Sequence, residues 1–385
     1  MNAEVQAMYE KMRRKLEGIV PDVELRYKAE LAVEIEHLKK ERNAVILGHN
    51  YMEPALYHSV PDFTGDSLGL SRLAAQTDKD VIVFCGVGFM AETAKILNPD
   101  KTVLIPSEKA GCSLAESITA EDVRALKARF PGVPVVTYVN TYADVKAESD
   151  YCCTSGNAAK LVASLESDTV IFLPDEYLAR NVARETGKRV IVPPTLILSP
   201  SGGGQPPTPT LPSRGGGLPP THTLPPLGGG LPLTHTLPPL GGGQGGGLII
   251  WDGRCEVHEK YTVDDIRAIR EQFPDVVILS HPECSPEVVA ASDFAGSTSA
   301  MIRYVAETNA PRYLLLTECS MGDNVAAVHR DKEFLRLCTV RCPHMNQITL
   351  ENTLESLRDL KYEVHIPEDI RRRALTAVER MLAVG

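Results

Sequence analysis

The sequence contains three copies of one pattern, and each copy ends in a cysteine. The copies begin at the pairs Asp62–Phe63, Asp150–Tyr151 and Asp293–Phe294 and end at Cys112, Cys255 and Cys342. The distances from Asp to Cys are 50, 105 and 49 residues. The middle distance contains a low-complexity stretch of 56 residues, 192–247, without which it would be 49.

Removing that stretch also leaves the cysteines 87 residues apart in both intervals. A period of this length is too long for a solenoid repeat but long enough for a small layered unit. We therefore predict three related domains. If the domains are arranged about a common axis, each delivers its cysteine to the same place.

Short apolar runs alternate with helical patterns along the chain, after two helical stretches in residues 1–42. This alternation predicts parallel sheets covered by helices on both faces. The expected fold is α/β, with three similar α/β/α domains in a pseudo-threefold arrangement around a central active site. We place the domains at 1–115, 116–255 and 256–345, and expect the helical residues 346–385 to pack on the first.

The stretch 192–247 consists of four 13-residue units rich in Pro and Gly, followed by QGGG. It lacks the periodic apolar face that would offset the entropy lost on ordering, so we predict a disordered surface loop that interrupts the second domain. His222 and His235 lie within it, but they recur because the unit recurs, and we do not expect them to bind metal. Long surface insertions cost little to close, so the core should remain intact.

Charge and composition narrow the class of function. A net charge of −10, with no run of basic residues, argues against nucleic-acid binding and favours small-molecule chemistry. The charged N-terminal stretch lacks an apolar signal-like core, and no apolar run approaches the roughly 18 residues of a membrane span. We therefore expect a cytoplasmic protein without membrane contact. Nine cysteines in a chain of 385 residues favour reduced thiols over a disulfide framework.

Three thiolates at one point suit an iron–sulfur cluster. A four-iron cluster held by three cysteines leaves one iron open, which makes it a Lewis acid for an oxygen-bearing substrate. Zinc is the competing metal, although its structural sites usually contain paired Cys-x-x-Cys ligands. The other cysteines do not share the repeated position, and we expect them to be small buried residues: Cys85, Cys152, Cys153, Cys284, Cys319 and Cys338.

Polar residues follow the first strand of each predicted domain. They are His49, Asn50 and Tyr51, then Tyr138 and Asn140, then His281 and Glu283. Ligands of parallel sheets bind at the carboxyl ends of strands, so these residues should face one cleft. Any one of them alone could simply cap a strand end.

A hydroxyl follows each Asp–aromatic pair by five residues, at Ser67, Ser155 and Thr298, just before a helical stretch. The N–H groups and dipole at a helix start form an anion site that a hydroxyl can complete. A simple N-cap explains each hydroxyl singly. Three of them around one cavity predict a substrate with several anionic groups, carboxylates and a phosphate among them.

Taken together, the motifs of this chain resemble those of quinolinate synthases, the NadA family. The motifs are GHNY at 48–51, DFTGDSLGLS at 62–71, AGCSLAES at 110–117, TYVNTYADVKAESD at 137–150, CTSGNA at 153–158, CEVHE at 255–259, SHPEC at 280–284, GSTS at 296–299 and CPHM at 342–345. The resemblance covers essentially the whole chain except 192–247, which departs from the family pattern. Some members carry a Cys-x-x-Cys pair before the last ligand, whereas Cys338 here is four residues before Cys342, so no regulatory disulfide is inferred.

The resemblance implies three domains around a tunnel, with a [4Fe–4S] cluster held by Cys112, Cys255 and Cys342. It also implies condensation of iminosuccinate with dihydroxyacetone phosphate to quinolinate in NAD biosynthesis, with L-aspartate oxidase as the possible source of the imine. Tyr51 and Glu283 would exchange protons, while His49 would hold anionic groups at the catalytic centre. The implied substrate contacts are His49, Ser67, Tyr138, Val139, Asn140, Ser155, His281, Pro282, Glu283 and Thr298.

Two alternatives remain open. Another three-domain cluster enzyme, a dehydratase or a reductive dehydroxylase, could use the same three cysteines, and a reductive enzyme would need electrons for turnover. A non-enzymatic iron–sulfur sensor or zinc-stabilised binding protein is the other class. A sensor should carry a DNA-binding helix pair or a basic patch, and the sequence contains neither.

Overall fold

The strands form three parallel sheets in the structure, a computed structural model that describes residues 2–191, 247–337 and 340–384. The first sheet contains β1 (Ala44–His49), β2 (Phe63–Gly65), β3 (Val81–Cys85) and β4 (Thr102–Leu104), in the order β2-β1-β3-β4. The second contains β5 (Val135–Tyr138), β6 (Tyr151–Cys153), β7 (Val170–Leu173), β8 (Arg189–Ile191) and β9 (Gly247–Ile250), in the order β6-β5-β7-β9-β8. The third contains β10 (Val276–Ser280), β11 (Phe294–Ala295), β12 (Arg312–Leu316) and β13 (Glu333–Leu335), in the order β11-β10-β12-β13.

Helices connect the strands and flank the sheets. They are α1 (Ala3–Leu16), α2 (Asp22–Glu41), α3 (Pro54–Tyr57), α4 (Ser67–Gln76), α5 (Gly88–Leu97), α6 (Ser113–Glu116), α7 (Ala120–Arg129), α8 (Ala143–Glu148), α9 (Ala158–Ser164), α10 (Glu176–Thr186), α11 (Val263–Gln272), α12 (Pro286–Ala291), α13 (Thr298–Glu307), α14 (Cys319–Val328), α15 (Leu350–Asp359) and α16 (Glu368–Val384). Short 3-10 turns cover His258–Lys260 and Met345–Gln347. The predicted α/β fold with three layered parallel sheets is confirmed.

The repeated Asp of the sequence pattern makes the same contact in every sheet. Its carboxylate accepts the backbone N–H of a residue in the first strand, and its own N–H returns a bond to that residue's carbonyl. The carboxylate distances are 2.8 Å to Ile46 from Asp62, 2.9 Å to Val135 from Asp150 and 2.8 Å to Ile278 from Asp293. The Asp therefore fixes where the second strand begins, which explains why the pattern needs it three times.

Burial follows the expected pattern for sheets covered on both faces. Every residue of β1, β3, β5 and β7 is buried, without polar alternation. Two of the connecting helices begin at capping boxes, in which Thr119 and Asp122 cap α7, and Thr262 and Asp265 cap α11. No helix of the described chain is both long and apolar enough to cross a membrane.

The two C-terminal helices pack on different parts of the molecule. α15 packs on α2 and β3, beside the first sheet. α16 packs mainly on α8 and β6, beside the second sheet, with a smaller contact to α5. Its buried face is Ala374, Ala377, Val378 and Met381. The expectation that all of 346–385 packs on the first domain is therefore wrong for α16.

The strands on either side of the low-complexity stretch lie next to each other. β8, which follows α10, is the outer strand of the second sheet, and β9 occupies the inner position beside β7. Gly247, assigned to the predicted loop, is the first residue of β9. The remainder of that prediction, with His222 and His235, lies outside the described residues, as does Cys338.

Candidate active site

One pocket collects most of the predicted site residues. It lies where the first strands of the three sheets end, as the strand-end rule predicts. The predicted residues that line it are His49, Tyr51, Ser67, Cys112, Tyr138, Asn140, Ser155, Cys255, His281, Glu283, Thr298 and Cys342. Val139 and Pro282 do not line it: Val139 is buried in the core, and the Pro282 carbonyl accepts a hydrogen bond from Asn181.

The three repeated cysteines have the same local structure. Each is partly exposed and comes directly before a short helical turn, whose backbone N–H groups at the second and third residues beyond the cysteine point at its sulfur. In the last copy, Met345 N lies 3.5 Å from Cys342 Sγ. Such donors stabilise a thiolate over a thiol.

Burial nevertheless dominates, and raises the pKa of Cys112 to about 12, that of Cys342 to about 11 and that of Cys255 well above its ordinary value. The thiolate forms therefore need additional positive charge nearby. Three sulfur donors that line one pocket, each with N–H donors aimed at it, fit a thiolate-bound metal group. A second donor set adjoins them: one ligand atom each of Cys255, His258 and Glu283 lies within 4.8 Å of the others.

Of the other cysteines within the described chain, four are buried as expected, namely Cys85, Cys152, Cys153 and Cys284. Cys319 is only partly buried, so the prediction is wrong for this residue. It is the first residue of α14, where the helix start leaves the side chain partly open.

Glu283 is the buried charge of the pocket. One of its carboxylate oxygens lies 2.7 Å from His258 Nδ1, and the other accepts a short hydrogen bond from the Tyr138 hydroxyl. Burial opposes ionisation of Glu283, but the rings of His281 and His258 and the Tyr138 hydrogen bond outweigh it, so the pKa of Glu283 falls well below its usual value. Glu283 is therefore a carboxylate.

Two groups, the Thr317 hydroxyl and the His258 ring, lie between the Tyr51 hydroxyl and Glu283. It forms a short hydrogen bond with Thr317 Oγ1 and lies 3.5 Å from His258 Nε2. Thr317 Oγ1 is in turn 2.9 Å from His258 Nε2. Burial, with the Glu283 charge adding to it, raises the pKa of Tyr51 well above 10. Tyr51 is therefore a neutral phenol, and a hydroxyl and an imidazole lie between it and the carboxylate.

His49 and His281 are neutral donors. Burial lowers the pKa of His49 to about 4 and that of His281 to about 3. The Nδ1 atom of each accepts a backbone N–H, from Tyr51 at 3.2 Å and from Glu283 at 3.3 Å respectively. Since Nδ1 is an acceptor, the proton of each neutral ring is on Nε2. The Nε2–H of His281 lies 3.2 Å from Ser155 Oγ.

The three pattern hydroxyls are not the helix caps. The N-cap residues of α4, α9 and α13 are Asp66, Asn157 and Ser297. Thr298 Oγ1 instead accepts a hydrogen bond from Asn50 Nδ2 at 2.9 Å, which joins the first and third sheets. The capping explanation is therefore wrong, and the hydroxyls of Ser67, Ser155 and Thr298 line the pocket.

Comparison with known proteins agrees with this arrangement. The family model described as Quinolinate synthetase A protein matches residues 33–383. The chain belongs to the quinolinate synthase family. Quinolinate synthase 2 of Mesorhizobium japonicum is 48% identical over 377 residues, covering 98% of this chain and 97% of its own length. The quinolinate synthase of Agrobacterium fabrum is 49% identical over 350 residues, 91% of this chain and 84% of its own, and that of Xylella fastidiosa strain 9a5c is 48% identical over 350 residues, 91% and 86%.

His258 was not predicted from the sequence. In this quinolinate synthase family member it contacts both Glu283 and the Tyr51–Thr317 pair. The available signal was its position three residues after Cys255, in Cys-Glu-Val-His. That spacing puts the ring on the first turn after a repeated cysteine, and therefore in the same pocket. Asp66 and His344 also line the pocket without having been predicted.

Proposed function

We propose that this protein is a quinolinate synthase that condenses iminosuccinate with dihydroxyacetone phosphate to quinolinate. The reaction releases phosphate and two waters and is redox-neutral. The observation that carries the proposal is a single pocket that joins three equivalent thiols, a buried carboxylate, neutral imidazoles and three hydroxyls. The family membership of the chain supports the same reaction.

Cys112, Cys255 and Cys342 would hold a [4Fe–4S] cluster. When bound, the cluster supplies a Lewis acid at the iron that has no cysteine ligand. The N–H groups that point at each sulfur support binding of thiolates, and they would keep the three ligands in place while substrates exchange.

Glu283 and Tyr51 divide the proton transfers between them. Glu283 is ionised and Tyr51 is neutral, so the carboxylate is the group that can take a proton from a bound substrate and the phenol is the group that can give one to a leaving oxygen. His258 and Thr317 lie between them and can return the proton from the carboxylate to the phenol. Groups of this kind typically contribute about 10²- to 10⁴-fold to the rate.

The substrate anions would be held by neutral donors. His49 and His281 each carry their proton on Nε2, and Ser67, Ser155 and Thr298 add hydroxyls. The starts of α4 and α13 add backbone N–H groups near two of these hydroxyls. Uncharged donors suit a site that must release an anionic product as well as bind anionic substrates.

The test is turnover by purified, cluster-loaded protein under anaerobic conditions, without reductant. The imine is generated in the assay from L-aspartate by L-aspartate oxidase before oxygen is removed, and quinolinate is measured by chromatography. We expect quinolinate and phosphate in equal amounts. A requirement for added electrons would favour a reductive dehydroxylase instead, and absence of turnover with a fully loaded cluster would favour a sensor.

A further inference from the structure

Two asparagines hold the loops that carry Glu283 and Tyr51, and each comes from a helix of a neighbouring sheet. Asn181 is the sixth residue of α10, and Asn324 is the sixth residue of α14. These helices occupy equivalent places, since each follows the third strand of its sheet. α10 packs on α12 of the third sheet, and α14 packs on α3 of the first.

Asn181 spans the backbone around Glu283. Its side-chain Nδ2 donates to the carbonyl of Pro282 at 2.8 Å and to that of Cys284 at 3.0 Å. These carbonyls belong to the residues immediately before and after Glu283. A single amide group therefore holds the backbone on both sides of Glu283.

Asn324 spans the backbone around Tyr51 in the same way. Its Nδ2 donates to the carbonyl of Asn50 at 3.2 Å and to that of Met52 at 2.9 Å. The two loops also match internally, because Tyr51 and Glu283 each donate their N–H to the Nδ1 of a histidine two residues earlier. The same clamp thus acts on the same loop position in two sheets.

Both asparagines are used only as donors. Their Oδ1 atoms are buried, and within the described part of the chain neither has a hydrogen-bond partner. Rotating either amide would aim its oxygen at two carbonyl oxygens, so the orientation is fixed. Leaving a buried acceptor unpaired is unfavourable, and it occurs twice at equivalent positions because the NH₂ group is needed there.

The equivalent loop of the second sheet, which follows β5, is held differently. α5 packs on α8 of the second sheet, where the Glu92 carboxylate accepts the Ala143 N–H at 2.7 Å and Lys146 donates to the Thr141 carbonyl. This loop carries Asn140, whose amide side chain, unlike a carboxyl or phenol group, does not take part in proton transfer. The asparagine clamp therefore occurs at the two loops with Tyr51 and Glu283.

We infer that Asn181 and Asn324 are positioning residues that hold Glu283 and Tyr51 in reacting geometry from the neighbouring sheet. This inference rests on the proposed function of the pocket. Neither asparagine lines the pocket, so each acts through the residue that it clamps.

Asn98 provides a matched control. It is buried, and its Nδ2 donates to two carbonyls, those of Ala74 at 2.9 Å and Ala94 at 3.0 Å. It caps the end of α5 that is opposite the pocket. Asn98→Ala therefore removes the same bonds without touching a pocket loop, and should lower thermal stability as Asn181→Ala and Asn324→Ala do. Asn181→Ser serves as a milder variant where the alanine variant does not fold.

The kinetic test is a double-mutant cycle. We expect Asn181→Ala and Asn324→Ala to lower kcat by about 10- to 100-fold with little change in KM, because small displacements of reacting groups cost this much. Asn98→Ala should leave kcat unchanged. In a Glu283→Gln background Asn181→Ala should have no further effect, and Asn324→Ala should have none in a Tyr51→Phe background. The inference is overturned if Asn181→Ala lowers kcat by the same factor with Glu283 and with Glu283→Gln, or if Asn324→Ala does so with Tyr51 and with Tyr51→Phe. A matching loss of kcat in Asn98→Ala would also overturn it.

Crystal structures of the same variants give a result that does not depend on turnover. Asn181→Ala should move the Glu283 carboxylate from its 2.7 Å contact with His258, whereas Asn98→Ala should preserve the contact. An unmoved carboxylate in Asn181→Ala would refute the positioning role. If wild-type protein forms no quinolinate, the proposed function fails, and the structures alone decide the role of the asparagines.

Discussion

Glu283 combines full burial with several hydrogen-bond donors, and its ionised state is the basis of its proposed role. Glu283→Gln keeps the shape of the side chain but removes the charge that accepts a proton. We expect kcat to fall by about 10²- to 10⁴-fold. Anaerobic activity assays should be paired with iron and sulfide analysis, because the variant should retain a full cluster. Full turnover by a loaded Glu283→Gln enzyme would exclude proton transfer by this residue.

The buried side chain of His58 should make the stability of the folded protein depend on pH. Burial, aided by the charge of Lys15, lowers the pKa of His58 to about 4 although the Asn324 carbonyl accepts one of its N–H groups. His58 is therefore protonated below about pH 6.5 in the unfolded chain, but only below about pH 4 in the folded chain. Above pH 6.5 both forms are neutral, and stability is lost as the pH falls through this window, by about 2 kcal/mol at pH 5.

The measurement is the thermal midpoint of metal-free wild type and His58→Gln at pH 7 and pH 5. The variant should lose less stability between the two values, because it has no group that titrates at this position. Equal losses in the two proteins would show that His58 does not contribute.

At the level of single residues, the sequence located the pocket but not its internal contacts. The strand-end rule identified His49, Tyr51, His281 and Glu283 because the rule depends only on where apolar runs stop. His258 was missed because it follows a cysteine rather than a strand. Its contacts with Glu283 and Thr317 join residues distant in the chain, and no local pattern encodes such pairs.

At the level of elements, periodicity predicted alternating strands and helices, but it does not specify strand order. β8 and β9 are both short and apolar, so both are good candidates for the strand before Cys255. The order of the sheet depends on which of the two strands pairs with β7. β9 occupies that place, which corresponds to that of β4 and β13, and β8 is an additional outer strand.

This order predicts that residues 190–246 are dispensable. Their deletion would join Arg189 directly to β9, which would become an outer strand, as β4 and β13 are in the other sheets. We expect a folded protein with nearly unchanged thermal stability and iron content, since the free energy of closing a chain segment depends only weakly on its length. A second deletion that also removes β9 should not fold. Failure of the first deletion to fold would mean that β8 is structurally required.

At the level of the whole molecule, cysteine spacing predicted that three distant segments converge. It could not predict the contacts between sheets, such as those of Asn181 and Asn324, because they depend on how the sheets face one another. The three copies also continue beyond each cysteine: Thr119, Thr262 and Thr349 each lie seven residues later and begin a helix with a capping box. The third box pairs Thr349 with Asn352, where the other two use Asp.

The convergence of the three cysteines gives the last prediction. Each contributes one sulfur from one copy of the pattern, so replacing any of them with alanine should remove a ligand that the other two copies cannot replace. Anaerobically reconstituted wild type should contain about four iron and four sulfide per chain. Cys112→Ala, Cys255→Ala and Cys342→Ala should each lose most of both. Cys284→Ala should retain them, because the Cys284 sulfur is buried and donates to the Leu316 carbonyl away from the pocket. Full iron content in any one of the three variants would require a different ligand set, for which His258 and Glu283, which adjoin Cys255, are candidate donors.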